Sequence, residues 1–171
     1  MSAPKVPTPC AGICSTTFGD TVCRGCRRYL HEVIDWNRYS DEQKALVWQR
    51  LDSLPARILP RYFRIEDPSL LARQLADHRI PHRPMSDPWV QLQALLKSAA
   101  RQSVDLRMFG VVRLDPRPID LVKLRDEINE SLYTLAQASY DKDFVRAIRR
   151  AAGGASPYGT EARATESDND S

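Results

Sequence analysis

The sequence predicts a mainly α-helical protein: an N-terminal four-cysteine metal loop and a helical hairpin, followed by a helical region with one short strand or hairpin. All four cysteines lie between residues 10 and 26. Several later stretches repeat apolar residues at intervals of three and four, the period of an amphipathic helix. Residues 104–114 are the one stretch whose apolar residues convincingly suggest a strand.

Bulk composition is that of an ordinary globular protein. With 171 residues, 42% of them hydrophobic and 27% charged, the chain can bury a substantial core. No stretch approaches the roughly 18 consecutive apolar residues of a membrane span, so we expect no membrane association. A net charge of +3 and a pI of about 8.7 are too mildly basic to indicate nucleic-acid binding by themselves.

The cysteines form two close pairs, Cys10 with Cys14 and Cys23 with Cys26, separated by the eight residues 15–22. Thiolates are the ligands that soft and borderline metals prefer, and two such pairs can fold back around one centre. The sequence therefore predicts one metal site with all four cysteines as ligands.

Neighbouring residues suit that site. A tetrathiolate around a divalent metal carries two surplus negative charges, which Arg24, Arg27 and Arg28 would offset. Gly12 and Gly25 lie inside the two cysteine turns, where a positive φ lets backbone N–H groups point at sulfur. We also expect Phe18, in the intervening loop, to cover the centre.

Other uses of four cysteines are two disulfides, unrelated structural thiols, or a redox-active Cys-x-x-Cys. The polar, proline-rich start of the chain lacks the features of an export signal, so we expect a reducing, cytoplasmic compartment. A redox motif would need a preceding strand in a βαβ unit, and the pattern shows none. Metal binding remains the favoured interpretation.

Three motifs follow one another in this part of the chain: Cys10-x-x-x-Cys14 with Cys23-x-Gly25-Cys26-x-Arg28, His31-Glu32-x-Ile34-x-Trp36, and Asp41-Glu42-Gln43-x-Ala45-x-x-Trp48. Their order resembles a bacterial family of small uncharacterised four-cysteine proteins that are labelled predicted iron-sulfur proteins. The resemblance covers residues 9–54 and implies metal binding, with no established reaction.

The identity of the metal stays open at this stage. Four thiolates in one compact loop suit a closed tetrahedral zinc, which we slightly favour. An iron-sulfur cluster is the alternative, although the familiar ferredoxin spacings differ from this one. His31, five residues after Cys26, is a much weaker ligand candidate because four thiolates are already present.

Two helices should follow the cysteines as a hairpin. The first spans about residues 27–37, and the second begins at Ser40 with a capping box to Gln43 and is expected to stop at Pro55. Their apolar stripes place both tryptophans of this segment in the core: Trp36 and Trp48.

Residues 57–83 form the most basic part of the chain, with six arginines. Because Tyr62 and Phe63 lie among them, the segment has the composition of a phosphate-binding and base-stacking surface. A solvated helix face explains the same arginines more simply, so nucleic-acid binding is a weak alternative function.

Proline after a capping aspartate predicts two further helices, from Ser69 to about His78 after Asp67-Pro68, and from Asp87-Pro88 to about residues 98–102. The strand at 104–114, interrupted at Gly110, must pair with an irregular segment, with itself as a hairpin, or with a second subunit.

A long amphipathic helix should run from Ile119 to about Arg150, with a break near residues 139–141. We expect it to be the spine of the second region rather than a homodimer surface. The predicted organisation is a flexible lead-in at 1–9, a four-cysteine module at 10–54, a helical region at 55–152 and a disordered acidic tail at 153–171.

Catalytic signatures are missing from the sequence pattern. It contains no Ser-His-Asp order and no phosphate-binding glycine loop, so nothing positive argues for an enzyme. The sequence predicts a metal-binding interaction module and identifies neither substrate nor protein partner.

Overall fold

The computed structural model describes residues 6–83, 85–99, 104–117 and 120–151. It is mainly helical with one two-stranded antiparallel sheet, which confirms the predicted fold class. Among the described residues, none of the helices combines the length and apolar character needed to cross a membrane. The elements in chain order are α1 (Leu30–Ile34), α2 (Asp41–Ile58), β1 (Phe63–Ile65), α3 (Pro68–Asp77), α4 (Pro88–Ala99), β2 (Val111–Arg113), α5 (Leu121–Tyr140) and α6 (Arg146–Ala151).

The first helix is shorter than the predicted span of 27–37. Arg27 has a φ of 62°, which is incompatible with an α-helix, and Tyr29 is extended and forms an isolated bridge with Val22. Only after Tyr29 does α1 begin, and a 3₁₀ turn at Trp36–Arg38 follows it.

Helix α2 begins as predicted and ends later than predicted. The Ser40 hydroxyl accepts from the Gln43 N–H at 3.3 Å, and the Gln43 side chain accepts from the Ser40 N–H at 2.9 Å. Pro55 does not stop the helix, which continues to Ile58 with both residues buried. Burial of this last turn in the core compensates for the hydrogen bond that proline removes.

Both cap-plus-proline predictions are confirmed. The Asp67 carboxylate accepts from the N–H of Leu70 at 2.9 Å at the start of α3, and the Asp87 carboxylate accepts from the N–H of Trp89 at 2.8 Å at the start of α4.

The strand predicted at 104–114 is wrong in its first half. Leu106–Phe109 forms a 3₁₀ turn that ends at Gly110 with a φ of 67°, and only β2 is extended. Its partner is β1, with Arg64 opposite Val112, so the strand pairs within the chain. A Cβ on Gly110 would lie 2.9 Å from the Asp67 carbonyl oxygen, which explains a glycine here.

The expected break in the long C-terminal helix is a change of helix type, because the backbone stays helical through Tyr140, Asp141 and Arg146. Helix α5 ends at Tyr140, and a π-helical turn at Asp141–Val145 leads into α6. Four residues of α5 at helical spacing are buried in the core beside α2 and α4: Leu124, Ile128, Leu132 and Ala136. This stripe accounts for the apolar periodicity that the sequence shows.

One hydrophobic core joins the two predicted regions. Val22 and Tyr29 from the cysteine segment belong to the same buried cluster as Phe63, Leu95 and Leu132. Division of the chain at residue 55 stays a prediction. Residues 1–5 of the lead-in and 152–171 of the acidic tail lie outside the described residues.

Two phenylalanines provide a matched test of this core. Phe63 is 1% exposed and Phe18 is 91% exposed. We expect Phe63→Ala to lower the free energy of unfolding by about 3 to 5 kcal/mol because it leaves a cavity. Phe18→Ala should change it by less than about 0.5 kcal/mol. Urea denaturation followed by circular dichroism measures both, and equal effects would contradict the assigned core.

Candidate metal centre

The two cysteine segments lie against each other. Cys14 leads into a 3₁₀ turn at Ser15–Phe18, and the Ser15 hydroxyl accepts from the Arg24 N–H at 2.8 Å. On the other side, the Cys23 sulfur lies 3.5 Å from the Ile13 carbonyl oxygen. Residues on both sides of Cys14 therefore contact the Cys23 turn.

Gly25 permits this approach. A Cβ at position 25 would lie only 2.4 Å from the Ile13 carbonyl oxygen. The expected positive φ is found at Gly12, at 80°, whereas Gly25 is not in the left-handed region. Glycine at position 25 is thus explained by close backbone contact, and the left-handed residue of this turn is Arg27.

Cys23 is the most buried of the four cysteines. Its side chain is buried, with 1% exposure. Burial by itself raises the pKa of this thiol, but the nearby N–H groups of Cys26, Ser15 and Gly25 and the Cys26 thiol lower it, to about 7. These donors stabilise a thiolate.

Cys26 is half-buried and behaves differently. Burial raises the pKa of its thiol, and the neighbouring Cys23 raises it further, against a lowering effect of Arg28. The Arg28 Nε donates to the Cys26 sulfur at 3.3 Å, and its guanidinium lies 5.1 Å from the Trp36 ring centroid. Arg28 is therefore the predicted arginine that contacts sulfur directly.

The first cysteine pair is less organised. The Cys14 sulfur is hydrogen-bonded to the Thr16 hydroxyl at 3.0 Å, and Cys10 is exposed. In the described part of the chain, no group of three or more His, Cys, Asp or Glu side chains is close enough to hold a metal ion. Convergence of all four thiols on one metal stays a prediction. Phe18 projects into solvent, so the expectation that it covers the centre is wrong.

Arg24 does not approach sulfur as expected. Its guanidinium lies 4.2 Å from the Tyr133 ring centroid and forms ion pairs with Asp20 at 3.4 Å and Glu130 at 3.7 Å. Since Tyr133 and Glu130 are both on α5, Arg24 attaches the outside of the cysteine loop to that helix.

Arg27 makes the central connection between the cysteine turn and α5. Its Nη1 donates to the carbonyl oxygens of Arg24 and of Gly25, the latter at 2.9 Å. Its Nη2 donates to the Asn129 carbonyl oxygen at 3.0 Å. Burial lowers the pKa of this guanidinium, and the two nearby cysteines raise it. No sequence pattern indicated Asn129, which lies 102 residues away.

A buried ion pair joins the exit of the cysteine loop to α2. The Glu32 carboxylate accepts from the Tyr29 N–H at 2.8 Å and from the Arg50 Nη2 at 2.5 Å. Arg50 also lies 3.8 Å from the Tyr29 ring centroid. Sequence reasoning missed this pair because Glu32 and Arg50 are both of types that are usually exposed.

Aromatic residues near the cysteine segments pack against other parts of the chain. Trp36 is buried, as expected, and Trp48 is half-buried with its indole N–H donating to the Pro7 carbonyl oxygen at 3.0 Å. The His31 ring lies 4.9 Å from the Phe144 ring.

Part of the nucleic-acid-binding surface predicted at residues 57–83 is buried in the structure. Phe63 is buried in the core and is not available to stack on a base, so that part of the prediction is wrong. Arg57, Arg61 and Arg64 are exposed, and Arg64 is paired with Glu66 at 2.7 Å. Nucleic-acid binding stays a prediction that depends on these arginines.

Residues 8–54 match the model of a family described as "Protein of unknown function (DUF1289)". This match confirms, over that segment, the resemblance to an uncharacterised family. No curated protein and no solved structure matched the chain significantly. The matched segment contains all four cysteines, Arg27, Glu32 and Arg50.

Gly25→Ala tests the close approach of the cysteine segments. The added Cβ would overlap the Ile13 carbonyl oxygen, so we expect a loss of about 1 to 3 kcal/mol of stability and shifted amide NMR signals in both segments. Gly19→Ala is the control, because a Cβ there contacts nothing within 4 Å. Its φ of 95° makes it strained, but its signal shifts should remain within its own loop. Unchanged stability of Gly25→Ala would rule out the tight contact.

Cys23 should make the stability of the reduced, metal-free protein depend on pH. Its pKa is about 7 when folded and 9.0 in the reference state. Between these values the unfolded chain binds more protons, so stability should rise with pH, by roughly 2 kcal/mol from pH 7 to pH 9. The contribution is lost as pH falls through 7. Urea denaturation at both pH values measures it.

Cys23→Ala is the control for this pH experiment, because it removes the titrating thiol and leaves other groups in place. The difference between the two proteins isolates the Cys23 contribution. The contribution of Cys26 to the pH dependence has the opposite sign, because the pKa of its thiol in the folded protein lies above 9.0. It lowers stability only as the pH rises beyond about 9. An identical pH dependence in both proteins would contradict the lowered pKa.

Proposed function

We propose that Cys10, Cys14, Cys23 and Cys26 ligate one structural zinc ion and that the centre supports an interaction module. The observation that carries the proposal is the close approach of the two cysteine segments, which brings the buried Cys23 sulfur within 3.5 Å of the Ile13 carbonyl oxygen, and N–H groups near that sulfur lower its pKa to about 7. Donors of this kind stabilise thiolate, the form of cysteine that binds metal. A neutral structural thiol has no need of them.

The charges around the turn support the same proposal. A zinc tetrathiolate carries a formal charge of −2, and the Arg28 guanidinium already contacts the Cys26 sulfur at 3.3 Å. Arg27 is close enough to Cys23 and Cys26 for both thiols to act on its pKa. Two positive charges would thus balance the surplus negative charge of the centre.

The assignment of zinc depends on the ligand set. Four thiolates leave no open position on a tetrahedral ion, and such closed sites stabilise a fold. All four cysteines are free thiols in the structure, as a metal site in a reducing cytoplasm requires. An iron-sulfur cluster on the same cysteines, with a redox or sensing role, is the alternative that the experiment below separates.

A structural role also fits the connections of the turn. Arg27 joins it to α5, and the Glu32–Arg50 pair joins its exit to α2. Zinc would hold the N-terminal segment onto helices that share one core, and the exposed outer face would be left for a protein partner.

Elemental analysis and absorption spectroscopy of anaerobically purified protein test the proposal. We expect about one zinc per chain and no visible absorption, because Zn²⁺ has a filled d shell. Cys14→Ser should lose the metal and lower the melting temperature by several degrees. Helical content should largely persist, since the core is shared by helices outside the loop.

Phe18→Ala is the matched control, because it alters the same loop at an exposed side chain and should retain the zinc. Iron and inorganic sulfide with absorption that dithionite bleaches would replace zinc by a cluster. Absence of any metal from the purified wild-type protein, together with no uptake of added Zn²⁺, would overturn the proposal.

A further inference from the structure

A cleft of about 520 Å³ lies beside the cysteine turn, between α2, α4 and α5. Its size is within the range of small-molecule sites, and it is open to solvent on one side. One wall is apolar and comes from all three helices: Leu51, Leu54, Pro55, Val90 and Leu132. The cleft adjoins the proposed metal centre, since Cys26 is one of its lining residues, and it extends from there along the three helices.

Positively charged side chains line the same cleft. Three cationic side chains line the cleft, Arg27, Arg83 and Lys97, whereas Asp52 is the one carboxylate among the described lining residues. Arg83 pairs with Asp52 and stacks 4.1 Å from the Trp48 ring centroid, so these two charges cancel. The positive charges of Arg27 and Lys97 have no carboxylate partner among the described lining residues.

Lys97 has no opposite charge of its own in the described structure. No described carboxylate is within ion-pair distance of it, and the charged groups that act on it are Arg27 and Cys26. If Arg27 and Arg28 balance a zinc tetrathiolate, Lys97 keeps an uncompensated positive charge at the edge of an apolar cleft. An unpaired ammonium beside an apolar wall favours an anionic ligand.

We propose that this cleft binds a small organic carboxylate with an apolar body. The carboxylate would pair with Lys97 near Arg27, and the body would lie against the apolar wall that Leu51, Val90 and Leu132 form. Gln93 and Ser98 line the same side as Lys97 on α4 and offer further hydrogen bonds. This function goes beyond metal binding and does not depend on which metal the cysteines hold.

The chemistry of the walls argues for this class of ligand over others. Inorganic phosphate would leave the apolar wall in contact with water, and it would have one uncompensated cation to pair with. A neutral apolar molecule would leave the Lys97 ammonium, which is exposed at the rim of the cleft, without a counter-charge. A ligand that has both a single negative charge and an apolar body satisfies both the ammonium and the apolar wall.

Binding of two isosteric probes to the full-length protein as purified tests the proposal. We use 1-naphthoate, which is an anion, and 1-naphthamide, which is neutral and has nearly the same shape. Isothermal titration calorimetry should show naphthoate binding at least about tenfold more tightly, and only naphthoate should weaken as NaCl is raised. Inorganic phosphate should not displace naphthoate at equal concentration.

Lys97→Gln should abolish the preference for naphthoate and leave naphthamide affinity unchanged. Lys123→Gln is the matched control, because Lys123 is an exposed lysine on α5 that does not line the cleft, and it should keep the preference. Circular dichroism verifies that both variants fold. Equal binding of the two probes to the wild type, absence of naphthoate binding up to millimolar concentration, displacement by phosphate, or a preference that survives Lys97→Gln would each overturn the proposal.

Metal content, measured on the same samples, separates this proposal from the metal proposal. A chain that holds zinc and shows no naphthoate preference contradicts the carboxylate site alone. A chain that holds no metal and keeps a Lys97-dependent preference contradicts the metal centre alone.

Discussion

The close approach of the two cysteine segments around the buried Cys23 thiol is the constraint on which the N-terminal structure depends. Burial by itself raises the pKa of that thiol, and backbone N–H groups near the sulfur lower it to about 7. Those N–H groups can converge only if the two cysteine segments approach closely, which requires glycine at position 25. The backbone must then turn away from the Cys23 sulfur, and the positive φ of Arg27 produces this turn.

The same turn is connected to the remainder of the chain by charge. The Arg27 side chain folds back over the turn and donates to the Gly25 carbonyl oxygen. It also donates to the Asn129 carbonyl oxygen on α5. The buried Glu32 carboxylate accepts a hydrogen bond from Arg50 of α2. Arg27 and Glu32 each have a partner on a different element, so these contacts specify how the cysteine loop sits on the helices, even if each adds little net stability.

The positively charged side chains near the cysteines face different parts of the structure. Arg28 contacts sulfur, Arg24 contacts acidic and aromatic residues of α5, and Lys97 faces the adjoining cleft. From sequence these cations look equivalent, because composition reports charge without direction. In the structure, Arg28 faces the Cys26 sulfur and Lys97 faces the neighbouring cleft.

Local signals in the sequence were sufficient for the starts of α2, α3 and α4 and for the irregularity after Tyr140, since capping boxes, proline starts and apolar periodicity act over a few residues. They also indicated four metal-ligating cysteines, which remains to be tested. Tertiary structure alone decided that Pro55 stays helical, that Phe63 is core rather than a stacking surface, and that β1 pairs with β2. It likewise decided the contacts of Arg27 with Asn129 and of Glu32 with Arg50. These features depend on burial and on partners distant in the chain, and neither quantity has a local signature.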